Sequence, residues 1–240
     1  MASFPATRPS VIRALNTDDR ETRDRAWETL AATYWKPVYK YVRLHWSASR
    51  EDAEDLTQEF FIHAFDRSTL ERYDPSRARF RTFVRTCVDG VVANARRDAT
   101  RVKRGGAITF VPMDFAGAEL ELASVARPAD AELDDFFRRE WVRSVFEQAV
   151  ERLRRECQVE RREPHFALFM RYDVEPMDDG TRPTYARLAR DVGLPETQVT
   201  NFLALARRRF RHHVLEVLVD LTSSDDEYAE AARDLLGVDA

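Results

Sequence analysis

Cysteine is rare in this chain, and long hydrophobic runs are missing. The two cysteines, Cys87 and Cys157, are far apart, and each lies in a helical pattern. This pattern predicts two reduced, buried thiols in a cytosolic protein and not a disulfide framework. No stretch approaches the roughly 18 apolar residues that a membrane-spanning helix needs, and residues 1–8 lack the apolar segment of a signal peptide. We therefore predict no membrane span and a cytoplasmic location.

Glycine is also scarce, and the motifs of common enzyme sites are absent. Only 7 of the 240 residues are glycine, and apolar positions recur every three or four residues, which predicts an all-α chain. There is no glycine-rich phosphate loop, nucleophile elbow or closely spaced cysteine pair. The acidic cluster at 51–59 is a candidate nuclease metal site, but no histidine or further carboxylate motif lies at ligand spacing. We predict no enzymatic activity, no catalytic residue, no metal ligand and no cofactor.

Charge is abundant but segregated along the chain. Charged residues make up 33% of the composition, yet the formal net charge is only -4. An acidic amphipathic stretch at 52–61 precedes a mostly basic segment at 77–104, and the chain after Asp220 is acidic again. The basic segment is typical of a phosphate-binding surface, with a solvated helix face as the alternative. The acidic stretch indicates a second, protein partner that offers a basic or amide-rich groove.

The pattern of helices and breaks divides the chain into four parts. We predict a helical domain at 11–104, an extended linker at 105–131, a second helical domain at 132–220 and an acidic tail at 221–240. The linker assignment rests on glycine, proline and scattered apolar residues without a clear period.

Local signals place the helix ends of the first domain. Pro37 kinks or divides the first long helical pattern. The segment Ser49–Asp52 resembles a capping box at the start of the next helix. Asp74-Pro75 marks a turn in a loop, after which a helix is predicted from Phe80 to about Arg101.

Residues 184–215 predict a helix-turn-helix. Thr184 can cap the first helix, Gly193 permits a tight turn, and Pro195 opens the second helix. The second helix presents outward the side chains with which a recognition helix meets base edges and phosphates: Thr197, Gln198, Thr200, Asn201 and Arg208. Phosphate contacts are also predicted for Arg207, Arg208, Arg209 and Arg211, with His212 and His213 as phosphate or solvent neighbours. A plain helical corner is the alternative.

Aromatic residues accompany the basic segment. Phe80 and Phe83 lie in the predicted helix, and Tyr73 lies just before it. Rings beside arginines suit unpaired bases, which stack on the rings while the arginines hold the backbone. Because Phe80 and Phe83 have the spacing of core residues, Tyr73 and the loop arginines are the better candidates for contact with bases.

The order of these segments resembles the sigma-70-type bacterial transcription initiation factors, specifically the extracytoplasmic-function (ECF) group. Asp52-Ala-Glu-Asp-Leu-Thr-Gln-Glu-Phe-Phe-Ile-His-Ala-Phe65 is similar to the family's region 2.2. Phe80-Arg-Thr-Phe-Val-Arg-Thr and Asn94-Ala-Arg-Arg are similar to regions 2.3 and 2.4, and residues 184–215 to region 4.2. The chain departs from the family where Phe83 replaces a frequent Trp, Pro195 replaces a usual serine cap, and Thr200-Asn201 is less basic than usual.

The resemblance implies a fold and a set of partners. The fold is all-α, with a region 2 bundle and a region 4 helix-turn-helix joined by an extended linker that threads the RNA exit path of the polymerase. The partners are core RNA polymerase, through its largest and second-largest subunits, and promoter DNA, as duplex and as unpaired non-template strand. An anti-sigma factor or another recruiting protein is left open as a further partner.

The resemblance also implies residue roles. The residues expected to dock on the clamp helices of the largest polymerase subunit are Asp55, Gln58 and Glu59. The residues expected to contact the promoter minus-ten element are Arg72, Tyr73, Arg77, Arg79, Asn94, Arg96, Arg97 and Arg101. The residues expected to contact the minus-thirty-five element are Thr197, Gln198, Thr200, Asn201, Arg207 and Arg208.

Three other functions compete with this interpretation. A helix-turn-helix regulator without polymerase attachment predicts a symmetric dimer on a palindromic site. A metal-dependent nuclease would use the acidic cluster at 51–59. An adaptor would bind another protein through the acidic tail.

Overall fold

The protein is seen in a computed structural model that describes residues 14–15, 17–63, 69, 72–74, 76–97, 112–123, 125–175, 182–222 and 224–237. Within these ranges the chain is helical and has no strand, which confirms the all-α prediction for the part described. Two compact units are present: Met1–Val145 with Leu218–Ala240, here unit 1, and Phe146–Val217, here unit 2. Arg101, Lys103-Arg104 and the first part of the predicted linker, 105–111, lie outside the described residues.

The helices of the described residues occur in a fixed order along the chain. They are α1 (Arg20–Leu44), α2 (Arg50–His63), α3 (Phe80–Arg97), α4 (Phe115–Leu122), α5 (Leu133–Val159), α6 (Glu163–Phe169), α7 (Tyr185–Val192), α8 (Glu196–Leu221) and α9 (Asp225–Leu236). A 3-10 turn at Asp130–Glu132 leads into α5, and a π-helical turn at Met170–Val174 follows α6.

Helix α1 supplies the centre of the core of unit 1. Asp19 caps its N-terminus by accepting a hydrogen bond from the Thr22 amide at 2.9 Å. Helices α2, α3 and α4 all pack on α1, which buries Leu30, Ala31, Tyr34, Val38, Tyr39, Tyr41 and Val42. Pro37 lies inside α1, and the helix continues through it, so of the predicted kink or division only the division is wrong. Apolar burial on either side offsets the roughly 3 kcal/mol that an internal proline costs.

The predicted ends of α2 and α3 are largely confirmed. The Ser49 hydroxyl accepts a hydrogen bond from the Asp52 amide at 3.1 Å and donates one to the Asp52 carboxylate at 2.7 Å. The Asp74 carboxylate accepts hydrogen bonds from the Ser76 amide and hydroxyl, at 2.9 Å and 2.7 Å, which fixes the predicted turn. Helix α3 begins at Phe80 as predicted, and Arg97 is its last described residue.

The prediction of an extended linker is wrong for residues 115–122, which form α4. The Asp114 carboxylate accepts a hydrogen bond from the Gly117 amide at 2.9 Å, and a Cβ at Gly117 would lie only 2.3 Å from that carboxylate. The Glu119 carboxylate then accepts hydrogen bonds from the Tyr39 hydroxyl and the Arg43 guanidinium, each at 2.6 Å. Because α4 is short, its stability comes from these contacts with α1 and not from a sequence period.

The predicted domain boundaries also differ from the compact units. Residues 132–145, predicted to open the second domain, belong to unit 1. The predicted acidic tail at 221–240 contains α9, whose Ala231 and Ala232 are buried. The tail is therefore a capped and packed helix of unit 1 over the residues that the structure describes.

The two cysteines are unpaired, and burial raises the pKa of both thiols. For Cys87 on α3 the pKa rises to about 11 from the ordinary 9.0. At pH 8 the reactive thiolate is then about 100-fold scarcer than in the unfolded chain. We expect iodoacetamide to alkylate Cys87 at least that much more slowly in the folded protein than in urea, as mass spectrometry of quenched samples would report. Equal rates in the two states would contradict this burial.

Candidate nucleic-acid and protein interfaces

The acidic stretch folds into one exposed face of α2. Asp55, Gln58 and Glu59 are all exposed, and helical spacing places them on the same side as Glu51. The opposite side is buried, with Ala53, Phe60 and Phe61 in the core and Thr57 beside them. The exposed end of this face also carries Ile62, which is 37% exposed. The face therefore combines carboxylates, an amide and an apolar side chain, which suits a protein partner of complementary charge.

The aromatic residues at the start of α3 form one cluster. The Tyr73 ring lies 5.0 Å from the Phe80 ring and 5.3 Å from the Phe83 ring, between centroids. Phe80 is only 1% exposed and packs edge-on against Tyr34, so it is a core residue, as its spacing indicated. Tyr73 and Phe83 are half-buried and lie at the margin of the core. A base could stack on this margin, whereas Phe80 is inaccessible.

The arginines near the start of α3 differ in their environment. Arg72 and Arg77 are exposed, with Arg77 3.4 Å from the Asp74 carboxylate. Arg79 forms an ion pair with Glu230 of α9, so its guanidinium is engaged and not free for DNA. The sequence could not indicate this pair, because its partners are separated by most of the chain.

The polar residues at the end of α3 lie together on the surface. The Arg97 guanidinium donates a hydrogen bond to the Asn94 side-chain oxygen at 2.8 Å. The Arg96 guanidinium lies 4.8 Å above the Trp46 ring and donates a hydrogen bond to the Trp46 carbonyl. Asn94, Arg96 and Arg97 are all exposed. Arg101, predicted to belong to the same surface, lies outside the described residues.

Sequence reasoning missed a further basic residue near this surface. Arg127, from the predicted linker, donates hydrogen bonds to the Ser47 hydroxyl at 2.8 Å and to the His45 carbonyl at 3.1 Å. It therefore contacts the same loop that carries Trp46, the partner of Arg96. No signal in the sequence pairs residues so far apart.

Helices α7 and α8 have the caps and the turn that the sequence predicted. The Thr184 hydroxyl accepts a hydrogen bond from the Arg187 amide at 3.2 Å, and Gly193 adopts a φ of 67°, which favours glycine. The Pro195 carbonyl accepts hydrogen bonds from the first turn of α8. Leu188 and Val199 are fully buried and join the two helices in one core. On the other side of α8, exposed side chains are presented by Thr197, Gln198, Thr200, Asn201 and Arg208.

Three other basic residues of α8 are held by carboxylates within unit 2. Arg207, predicted to contact DNA, forms two hydrogen bonds with the Asp173 carboxylate, at 2.8 and 3.0 Å. Hydrogen bonding to Asp173 raises the pKa of Arg207. Arg209 lies 2.8 Å from the Glu156 carboxylate, and the His213 ring lies between Glu156 and a second glutamate, Glu216. Arg207, Arg209 and His213 are thus engaged within unit 2, and their DNA or phosphate contacts stay predictions.

Arg207→Ala is expected to lower the free energy of unfolding by about 1.5–3 kcal/mol, because the 19%-exposed Asp173 carboxylate loses both charge-assisted hydrogen bonds. Urea unfolding followed by circular dichroism measures this. The adjacent Arg208→Ala is the matched control, with an expected change within about 0.5 kcal/mol because Arg208 is exposed. Equal losses in the two variants would refute the structural role of Arg207.

Within the described ranges, no group of three or more histidine, cysteine, aspartate or glutamate side chains could hold a metal ion. No helix in those ranges has the length and apolar character to cross a bilayer.

Comparison with known proteins finds one family. Residues 30–102 match the family model described as Sigma-70 region 2. This match includes most of α1, all of α2 with its acidic face, and all of α3 with its aromatic cluster and its Asn94–Arg97 surface. No curated protein and no solved structure matches the chain. Residues 30–102 are therefore similar to sigma-70 region 2, and this match supports a sigma factor of the sigma-70 family with a role in transcription initiation.

Proposed function

We propose that this protein is an ECF-type sigma factor that binds core RNA polymerase, recognises the minus-ten and minus-thirty-five promoter elements and promotes promoter melting. One observation carries the proposal: the segment that matches region 2 presents an exposed acidic face on α2 and an exposed Asn-Arg surface at the end of α3. The first suits a protein partner and the second suits DNA. In this proposal 11–104 is region 2, 132–220 contains region 4, and the polymerase performs the chemistry.

Polymerase attachment is assigned to the acidic face of α2. Asp55, Gln58 and Glu59 would dock on the clamp helices of the largest subunit. Exposed carboxylates and an amide around an apolar side chain, Ile62, complement a basic or amide-rich groove. The second-largest subunit is the expected partner of the remaining chain, including the linker that leads from region 2 to region 4.

Minus-ten recognition is assigned to the two ends of α3. At its start, the half-buried rings of Tyr73 and Phe83 offer a margin on which an unpaired base of the non-template strand can stack. Arg72 and Arg77 are close in sequence and exposed, so they suit the strand backbone. Arg79 belongs to this set only when its ion pair with Glu230 is broken.

The end of α3 faces duplex DNA in this proposal. Asn94 can read a base edge, and Arg96 and Arg97 can hold phosphates just upstream of the melted bases. Arg101 continues the same predicted surface. Flipping a base out of the duplex costs a few kcal/mol, and these contacts supply the compensating binding energy.

Minus-thirty-five recognition is assigned to the exposed side of α8. Thr197, Gln198, Thr200 and Asn201 occupy the first turns of α8, where a recognition helix meets base edges. Arg208, exposed further along α8, suits a phosphate. Arg207 is omitted because its guanidinium is held by Asp173.

In vitro transcription tests the proposal. Bacterial core polymerase is incubated with a randomised promoter library, with and without the protein, and the transcripts are sequenced. Protein-dependent transcripts that share two upstream elements are the expected result. A dimeric protein that protects a palindromic site and adds no transcripts would instead support the helix-turn-helix regulator acting without polymerase.

A further inference from the structure

A cavity of about 720 Å³ within unit 1 is lined by an unusual number of arginines. Its walls come from the start of α3, the start of α5 and one side of α9. The arginines are Arg77, Arg79, Arg81, Arg85 and Arg138. The carboxylates that face them are Asp134, Asp135, Glu230 and Asp234, of which the last two belong to α9. Without α9, five arginines would face only two carboxylates, and the cavity would be strongly basic.

Helix α9 places carboxylates where anions are expected to bind. Glu230 pairs with Arg79, and the Glu227 carboxylate accepts a hydrogen bond from the Phe80 amide at 3.3 Å. Phe80 is the first residue of α3, so Glu227 occupies the positive end of that helix. An arginine beside a helix N-terminus is an arrangement that binds phosphate.

The rest of α9 is built to keep these carboxylates in position. The Ser224 hydroxyl caps the helix by accepting a hydrogen bond from the Glu227 amide at 3.2 Å. Ala231 and Ala232 are buried, whereas Asp225 and Asp226 in the first turn are exposed. The fully buried side chains of α9 are alanines, with Tyr228, Leu235 and Leu236 half-buried, so a modest apolar area attaches this helix to unit 1.

We propose that the arginine-lined cavity is a binding site for the phosphodiester backbone of single-stranded DNA and that α9 covers it in the free protein. The Glu227 and Glu230 carboxylates occupy the positions of phosphates, and the DNA strand displaces α9 when it binds. This inference rests on the proposed minus-ten role of the segment that precedes α3. It explains why Arg79, which the family resemblance assigns to DNA, is paired with the chain's own C-terminal helix.

Neutralising the two carboxylates tests the cover directly. The full-length Glu227→Gln/Glu230→Gln variant is titrated with fluorescein-labelled oligo-dT at low salt, and anisotropy gives the Kd. We expect binding about three- to tenfold tighter than for the unsubstituted protein, the order that the loss of one half-exposed ion pair and of one carboxylate at a helix N-terminus can supply. The matched control is Asp225→Asn/Asp226→Asn, which changes the net charge equally on the same helix but leaves the cavity carboxylates intact. If the control bound oligo-dT more tightly by the same factor, net charge alone would explain the gain, and the proposal would be overturned.

A second measurement does not depend on the folding of any variant. Amide hydrogen exchange of α9 is compared in the unsubstituted protein with and without oligo-dT. Displacement of α9 predicts faster exchange at residues 227–236 when the oligonucleotide is bound. Unchanged or slower exchange of these residues at saturating oligo-dT would overturn the proposal that DNA displaces α9 from the cavity.

Transcription assays of the same variants separate this proposal from the proposed function. If the protein directs transcription with core polymerase but the glutamine variant shows no gain in oligo-dT binding, the proposal that α9 covers the cavity is wrong and the sigma function stands. If the gain is present but no variant supports transcription, the proposal for α9 stands and the sigma function is wrong.

Discussion

Lys40→Met is expected to lower the free energy of unfolding by about 2–4 kcal/mol, because the buried Glu140 carboxylate loses its closest cation and keeps only the half-exposed Arg143, 3.2 Å away. The Lys40 side chain is fully buried in α1, and its ammonium lies 2.5 Å from Glu140 and 2.6 Å from Glu121. Glu140 is only 5% exposed, so water cannot replace the lost partner. Urea unfolding of the full chain, followed by circular dichroism, measures the loss.

The double variant Lys40→Met/Glu140→Leu is the control. It removes both charges and fills the space with apolar groups, and replacement of a whole buried pair is often close to neutral. We expect it to recover most of the stability that the single variant loses. A single variant as stable as the unsubstituted protein, or a double variant less stable than the single one, would show that the pair is not the source of the effect.

The same cluster gives unit 1 an acid-sensitive component. Burial opposes ionisation of Glu121, but hydrogen bonds from Lys40 and Lys36 overcome it, and the pKa of Glu121 lies below its ordinary 4.5. A carboxyl group whose folded pKa is depressed contributes stability above its unfolded pKa and loses it as the pH falls through the folded pKa. The contribution of Glu121 is therefore full at neutral pH, begins to fall near the ordinary pKa of 4.5 and is lost as the pH drops through the lower folded pKa.

Local signals in the sequence predicted local structure well. Ser49, Asp74 and Thr184 are capping or turn residues whose hydrogen bonds reach only two or three residues along the chain. Gly193 and Pro195 likewise act on their immediate neighbours. The position of α4 was not predictable in this way, because its eight residues depend on Tyr39 and Arg43 of α1 for their contacts.

For the candidate site, the sequence could predict which side chains lie on the exposed faces of helices and no more. Helical spacing placed Arg208 on an exposed face, and Asn94 and Arg97, which the resemblance assigns to DNA, are exposed as well. Arg79 and Arg207 were also assigned to DNA, but each meets a carboxylate from a distant part of the sequence. A periodic pattern distinguishes inside from outside and carries no information on which outward charges are already paired.

Reversing charge on α2 is expected to abolish polymerase attachment. Asp55→Lys/Glu59→Lys turns two exposed carboxylates, four residues apart on one face, into cations. Against a basic or amide-rich groove, this substitution replaces attraction by repulsion and should weaken core-polymerase binding about 100-fold. Binding is measured by anisotropy of the labelled protein titrated with core polymerase.

A control of the same design lies on α1. Asp24→Lys/Glu28→Lys reverses two exposed carboxylates at the same spacing in the same unit, outside residues 30–102. We expect it to bind core polymerase like the unsubstituted protein, because only the α2 face is proposed to dock. The free-protein affinity for oligo-dT should not separate the two variants, since they carry the same net charge. Equal weakening of polymerase binding in both would mean that overall charge, and not the α2 face, governs attachment, and the sigma function would then lose the polymerase contact assigned to it.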